Sequence, residues 1–153
     1  MQSINLPEAV KNNIRVFTQD LKQLYADDLI AVLLYGSSIR GEFSKDHSNI
    51  NILAVLKNTE LFTLEKSRKL IHKSSNRTID PLFLSQEYIA GSCDVFPIEF
   101  LDMKENHFCL YGTDVLKDIA IDQKNLRFQC EQEIKSKLIL LKQQYLKALW
   151  IFS

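Results

Sequence analysis

Two short apolar runs, LIAVLLY over Leu29–Tyr35 and INILAVL over Ile50–Leu56, bracket a polar stretch that opens with Gly36-Ser37-Ser38. Each run is shorter than an ordinary buried helix and lacks the alternation of a strand with one wet face. They predict strands buried on both faces, and such strands need helices to cover them. With 153 residues, 46% hydrophobic and 25% charged, the chain is large enough for one domain with its own core.

The flanking periodicities supply the helices. Val10, Ile14, Phe17, Leu21 and Leu24 fall on one face of a predicted helix over Pro7–Leu24, with the proline in the first turn. Phe62–Ser75 reads as a second helix, with the weaker stripe Leu64, Ser67 or Arg68, and Ile71. IDPLFL over Ile79–Leu84 reads as a third strand, placed at an edge or a bulge by Pro81. Ser85 is a candidate cap for a short helix to Ala90. DVFPIEFLDM over Asp94–Met103 reads as a fourth strand carrying Glu99, and Leu110–Asp114 as a turn. A long helix begins at Gln123, capped by Asp122, with Leu126, Cys130, Ile134, Leu138, Leu141 and Tyr145 along one face. The expected fold class is α/β: a short, mixed, twisted sheet with flanking helices, packed mainly on one side, and a long C-terminal helix.

Charge and cysteine usage narrow the function. Nineteen Lys and Arg balance nineteen Asp and Glu, so bulk charge gives no reason to expect nucleic acid or an acidic membrane as partner. The three cysteines are scattered without CxxC spacing, which argues against a disulfide framework or zinc site and suits a reducing, cytoplasmic setting. No signal-peptide pattern is read at the N-terminus, and no apolar run approaches the roughly 20 residues that span a bilayer.

The strand–Gly-Ser–loop–strand unit has chemical capacity. After a buried strand, Gly36 lets the backbone approach a bound group closely, or simply turns the chain. Ser37 and nearby N–H groups are suitable donors to phosphate. Arg40 and Lys45 are either phosphate contacts or solvated loop charges. Asn49 and Asn51 share a strand parity, so they point the same way, and Glu99 on a further strand could reach that face.

On these residues the chain resembles the nucleotidyltransferase superfamily, which includes DNA polymerase beta, the aminoglycoside nucleotidyltransferases and minimal bacterial nucleotidyltransferases. Gly36-Ser37 and Arg40-Gly41 match the opening of its signature, and Ser48-Asn49-Ile50-Asn51 falls on its Ser-acid-hydrophobic-acid segment. Glu99 is the candidate third acid. The resemblance runs from about Leu29 to Tyr145. It implies a nucleotidyltransferase-like domain over residues 1–121 and a C-terminal helix over 122–153 that packs on a partner or opens a further helical domain.

The departure from the family pattern concerns the catalytic and metal-binding positions, which the resemblance assigns to Asn49, Asn51 and Glu99. Two amides stand where the family carries its acid pair. Each lost carboxylate removes roughly several kcal/mol of attraction for a divalent ion at an effective dielectric near 20. The implied function is binding of a nucleoside triphosphate with weakly held Mg²⁺ and little or no transfer. Gly36, Ser37, Arg40 and Lys45 would hold the nucleotide. One alternative is a non-catalytic interaction module, antitoxin-like or regulatory, that binds a protein partner or a second copy through the last helix. Another is an active transferase with a rearranged metal site recruiting Asp46 or Asp94.

Overall fold

The computed structural model describes residues 6–40, 49–75 and 79–151. Helix α1 (Glu8–Tyr25) leads through a single 3-10 turn into β1 (Leu29–Tyr35), followed by the four-residue α2 (Ser37–Arg40). Next come β2 (Ile50–Leu56), α3 (Leu61–Glu65), α4 (Arg68–Ser75) and β3 (Ile79–Ser85). The chain continues through α5 (Gln86–Ser92), α6 (Pro97–Glu105) and β4 (His107–Gly112), then α7 (Gln123–Ile151).

The four strands form one mixed sheet in the order β3-β2-β1-β4. β1 pairs antiparallel with both β2 and β4, and β2 pairs parallel with β3. The two apolar runs are its central strands, and both are covered on both faces. On one side Phe17, Leu21, Tyr25 and Leu70 from α1 and α4 pack on Val32, Leu34, Ile52, Ala54 and Leu56. On the other, Ile89 from α5, Phe100 from α6 and Leu116 pack on Ala31, Leu33, Leu53 and Val55. The helices therefore flank the sheet on both sides, not mainly on one.

Several expected elements are present. Ser85 caps α5, its Oγ accepting the Tyr88 N–H at 3.0 Å, and Asp122 Oδ1 accepts the Lys124 N–H at 2.6 Å at the start of α7. Pro81 lies on the edge strand β3, where a missing donor is tolerated. The three cysteines are free thiols. No helix among the described residues is long and apolar enough to cross a membrane.

Two expectations are corrected. Residues 94–103 are not a strand: Pro97 opens α6 at its first position, where a helix does not need the proline's absent N–H. The fourth strand lies further on, over His107–Gly112, and takes in Leu110, Tyr111 and Gly112 of the stretch read as a turn. It ends at Gly112, whose φ of +80° and closeness to the Ile30 carbonyl leave no room for a β-carbon. The single helix expected over Phe62–Ser75 is two, because buried Ser67 bonds back through its Oγ to the Leu64 carbonyl at 2.7 Å and interrupts the run.

Leu53 lies fully buried between β2 and the α5–α6 layer. Leu53→Ala is expected to lower unfolding free energy by about 2–5 kcal/mol, read as a lower urea midpoint with an unchanged slope.

Candidate functional site

The site begins where β1 ends. Gly36 is buried and has φ +79°, a left-handed conformation that disfavours any residue with a β-carbon. The turn is held from both sides. The Gly36 N–H donates to the Asn106 carbonyl at the end of α6 at 3.0 Å. The Gly36 carbonyl accepts from Ile39 at 3.0 Å and from Arg40 at 3.4 Å. Ser38 is buried and donates through Oγ to the Tyr35 carbonyl at 3.3 Å, while Ser37 is half-buried. A β-carbon on Gly36 would lie 3.1 Å from Asn51 Nδ2, so the turn and the β2 amide are immediate neighbours.

Strand register then sets a row across the sheet. Tyr35 is the partner of Asn51 on β2 and of His107 on β4, and Asn51 is the partner of Asp80 on β3. Asp80, Asn51, Tyr35 and His107 thus line one end of the sheet. Asn51 has the parity of Leu53 and Val55, and Asp80 that of Leu82 and Leu84, which places both on the α5–α6 face. Burial, with the Asp80 charge second, holds the Tyr35 phenol above the usual tyrosine range. At the far end of the row, His107 Nε2 sits 2.9 Å from Asp114 Oδ1 and Nδ1 sits 2.9 Å from the Lys104 carbonyl.

Asp80 is the carboxylate that the sequence reading passed over. Its signal was an acid at the head of a strand, in Ile79-Asp80-Pro81, but only the parallel β2–β3 register places it beside Asn51. Glu99, the expected third acid, stands on α6 instead of a strand. Its Oε2 accepts from Gln129 Nε2 at 2.8 Å, and Gln129 Oε1 accepts the Ile98 N–H at 2.9 Å. Glu99 therefore takes part in joining α7 to the first turn of α6. Asn49 is exposed and directly precedes β2. Arg40 places Nη1 2.6 Å from Asp102 Oδ1, which also accepts from Asn106 Nδ2 at 2.8 Å, so the α2 cation is tied to the helix end that holds Gly36. Asp94 is exposed just before α6. Lys45 and Asp46, with Gly41 and Ser48 of the resemblance, lie outside the described residues.

Nucleotidyl transfer, the activity that the sequence resemblance implies, would require bound divalent metal. In this structure the row offers one carboxylate, Asp80, beside the Asn51 amide. No group of three His, Cys, Asp or Glu able to hold a metal occurs among the described residues. One Mg²⁺ is usually held by one or two carboxylates with waters and substrate phosphates, and in-line transfer between two metals needs a clamp of several carboxylates. One acid and one uncharged amide do not fit that requirement, and no transfer step is derived through it.

No protein-family model matches the chain, and no curated protein matches it in sequence. Among solved structures it is similar to the spectinomycin adenyltransferase AAD(9) from Enterococcus faecialis, crystallised with ATP and spectinomycin. The identity is 14% and the TM-score 0.60, over 76% of this chain and 62% of that one. A toxin–antitoxin structure with AMP-PNP matches at 16% identity and TM-score 0.46, over 86% of this chain and 96% of that one. The tri-AMPylated Shewanella oneidensis HEPN toxin in complex with MNT antitoxin matches at 15% and 0.45, over 87% and 97%. The first of these shows the fold: a mixed four-stranded sheet with flanking helices, as in nucleotidyltransferases.

Two outcomes test this geometry. Gly36→Ala is expected to cost roughly 1–2 kcal/mol for the left-handed backbone, plus whatever displacement of Asn51 the new methyl forces, read by urea unfolding. Asp80→Asn is expected to bring the Tyr35 pKa part of the way back down, followed by the NMR shift of its ring carbon, with burial keeping the remainder. Because the folded state holds this proton more tightly than the unfolded chain, its contribution to stability is lost as pH rises beyond the ordinary tyrosine value of 10.0.

Proposed function

We propose that this chain binds a nucleoside triphosphate at the Gly36 turn and is weak or inactive in nucleotidyl transfer. The observation that carries this reading is the packing of a β-carbon-free, left-handed turn against Asn51, at the end of a strand in a nucleotidyltransferase-like sheet. The missing side chain lets phosphate oxygens approach the backbone, and Ser37 supplies a hydroxyl donor beside it. Arg40 brings positive charge to the same turn while Asp102 and Asn106 hold its position. Lys45 belongs to the same reading as a second cation. Asn49 and Asn51 contribute polar groups without charge, which leaves nothing at those positions to concentrate divalent ions or activate an attacking hydroxyl. The fold neighbour's ATP supports the choice of ligand class, and the amides support the loss of turnover.

The experiment is a thermal-unfolding scan with each of the common nucleoside triphosphates. Ligand at about 100 times its dissociation constant adds roughly 2.7 kcal/mol. A rise of several degrees is expected, at about 2–4 °C per kcal/mol or somewhat more for a domain this small. Labelled nucleotide incubated with the protein should remain untransferred. Unchanged midpoints with every nucleotide would overturn the reading.

One observation favours the alternative reading, a non-catalytic interaction module. Along α7, Ile134, Leu138, Leu141 and Tyr145 are 48–68% exposed, although they continue the half-buried stripe of Leu126 and Cys130. An apolar face of this kind is suited to a helical partner or a second copy. Sedimentation across a concentration series reads out the second of these.

A further inference from the structure

The nucleotide reading leaves one question of charge. A triphosphate is a polyanion, and carboxylates placed beside it repel it unless cations stand between them. Sites that carry acids at these positions therefore take the nucleotide with its metals. The present row has the opposite chemistry. Asn51 places Nδ2 beside the Gly36 turn, 3.1 Å from where a β-carbon would stand, and the left-handed φ of +79° is what favours glycine there. An amide nitrogen is a hydrogen-bond donor and serves a phosphate oxygen, not a metal. Asn49, directly before the same strand, offers a second amide. The remaining acid of the row, Asp80, is exposed and lies one strand further out, on the edge strand β3.

We infer that the site takes its nucleotide as the metal-free phosphate species, with the Asn51 amide donating where a carboxylate would require a cation. The inference rests on the nucleotide reading of the preceding section and specifies the ionic form of the ligand. It also gives the two amides a role: they convert a cation-dependent site into an anion site. Metal bound to the phosphates then competes with the protein's donors for the same oxygens, so Mg²⁺ gives no gain in affinity.

The test is calorimetric titration of ATP into the full chain, once in EDTA and once in excess Mg²⁺. The native protein is expected to bind in EDTA at least as tightly as in Mg²⁺. The Asn49→Asp, Asn51→Asp double variant should lose at least about tenfold in EDTA, since two new carboxylates face the phosphates, and should recover with Mg²⁺. Asp80→Asn should tighten metal-free binding by about several-fold, through removal of the one carboxylate in the described sheet row. Native binding that appears only with Mg²⁺ overturns the inference and leaves the nucleotide reading standing. A silent native protein beside a double variant that binds Mg-ATP also overturns it. No binding by either protein in either buffer removes the nucleotide reading and the inference together. The native comparison of EDTA with Mg²⁺ decides the matter even if the double variant does not fold.

Discussion

Everything at the site depends on where β1 ends. This strand is the hub of the sheet, paired on both edges and buried on both faces, and its last residue, Tyr35, fixes a register with two neighbours at once. Tyr35 aligns Asn51 on one side and His107 on the other, and Asn51 in turn aligns Asp80. A slip of one residue would exchange the two faces of a strand and move its apolar set out of its layer. Side chains such as Leu33, Leu34, Leu53 and Val55 are fully buried, and each holds that register with roughly 1.5–3 kcal/mol of burial. The polar row at the sheet end is thus positioned by apolar packing some residues away from it.

The local parts of this arrangement were legible in the sequence, and the long-range parts were not. Both central strands announce themselves by continuous apolar runs, and the Gly36 stop marks the turn correctly. The Ser85 and Asp122 caps and the Pro81 edge could be read because each rests on the chemistry of a few adjacent residues. Asp94–Met103 was misleading because a short apolar run fits a buried strand and a buried helix equally well, and Pro97 decides for the helix. That error displaced β4 and put Glu99 on the sheet. Asp80 was invisible for a different reason. Its closeness to Asn51 follows from a parallel pairing closed through two intervening helices, and no local pattern encodes which strand lies beside which.

The site that results joins a left-handed glycine turn to a sheet row whose β2 member, Asn51, is an uncharged amide. The turn's polar ties run from the Gly36 N–H to the Asn106 carbonyl and from Arg40 to Asp102, while Asn51 Nδ2 packs against Gly36. Glu99, drawn into the Gln129 contact, serves the docking of α7 and is not part of the sheet row.

The most direct measurement is a two-dimensional amide NMR titration of the isotopically labelled chain with ATP. With nucleotide bound at the Gly36 turn, the backbone signals of Gly36, Ser37 and Ser38, and the side-chain amide signal of Asn51, are expected to shift first and saturate together, with the Asp80 signal following the same curve. Shifts confined to other surfaces, or a spectrum unchanged at millimolar nucleotide, would contradict it.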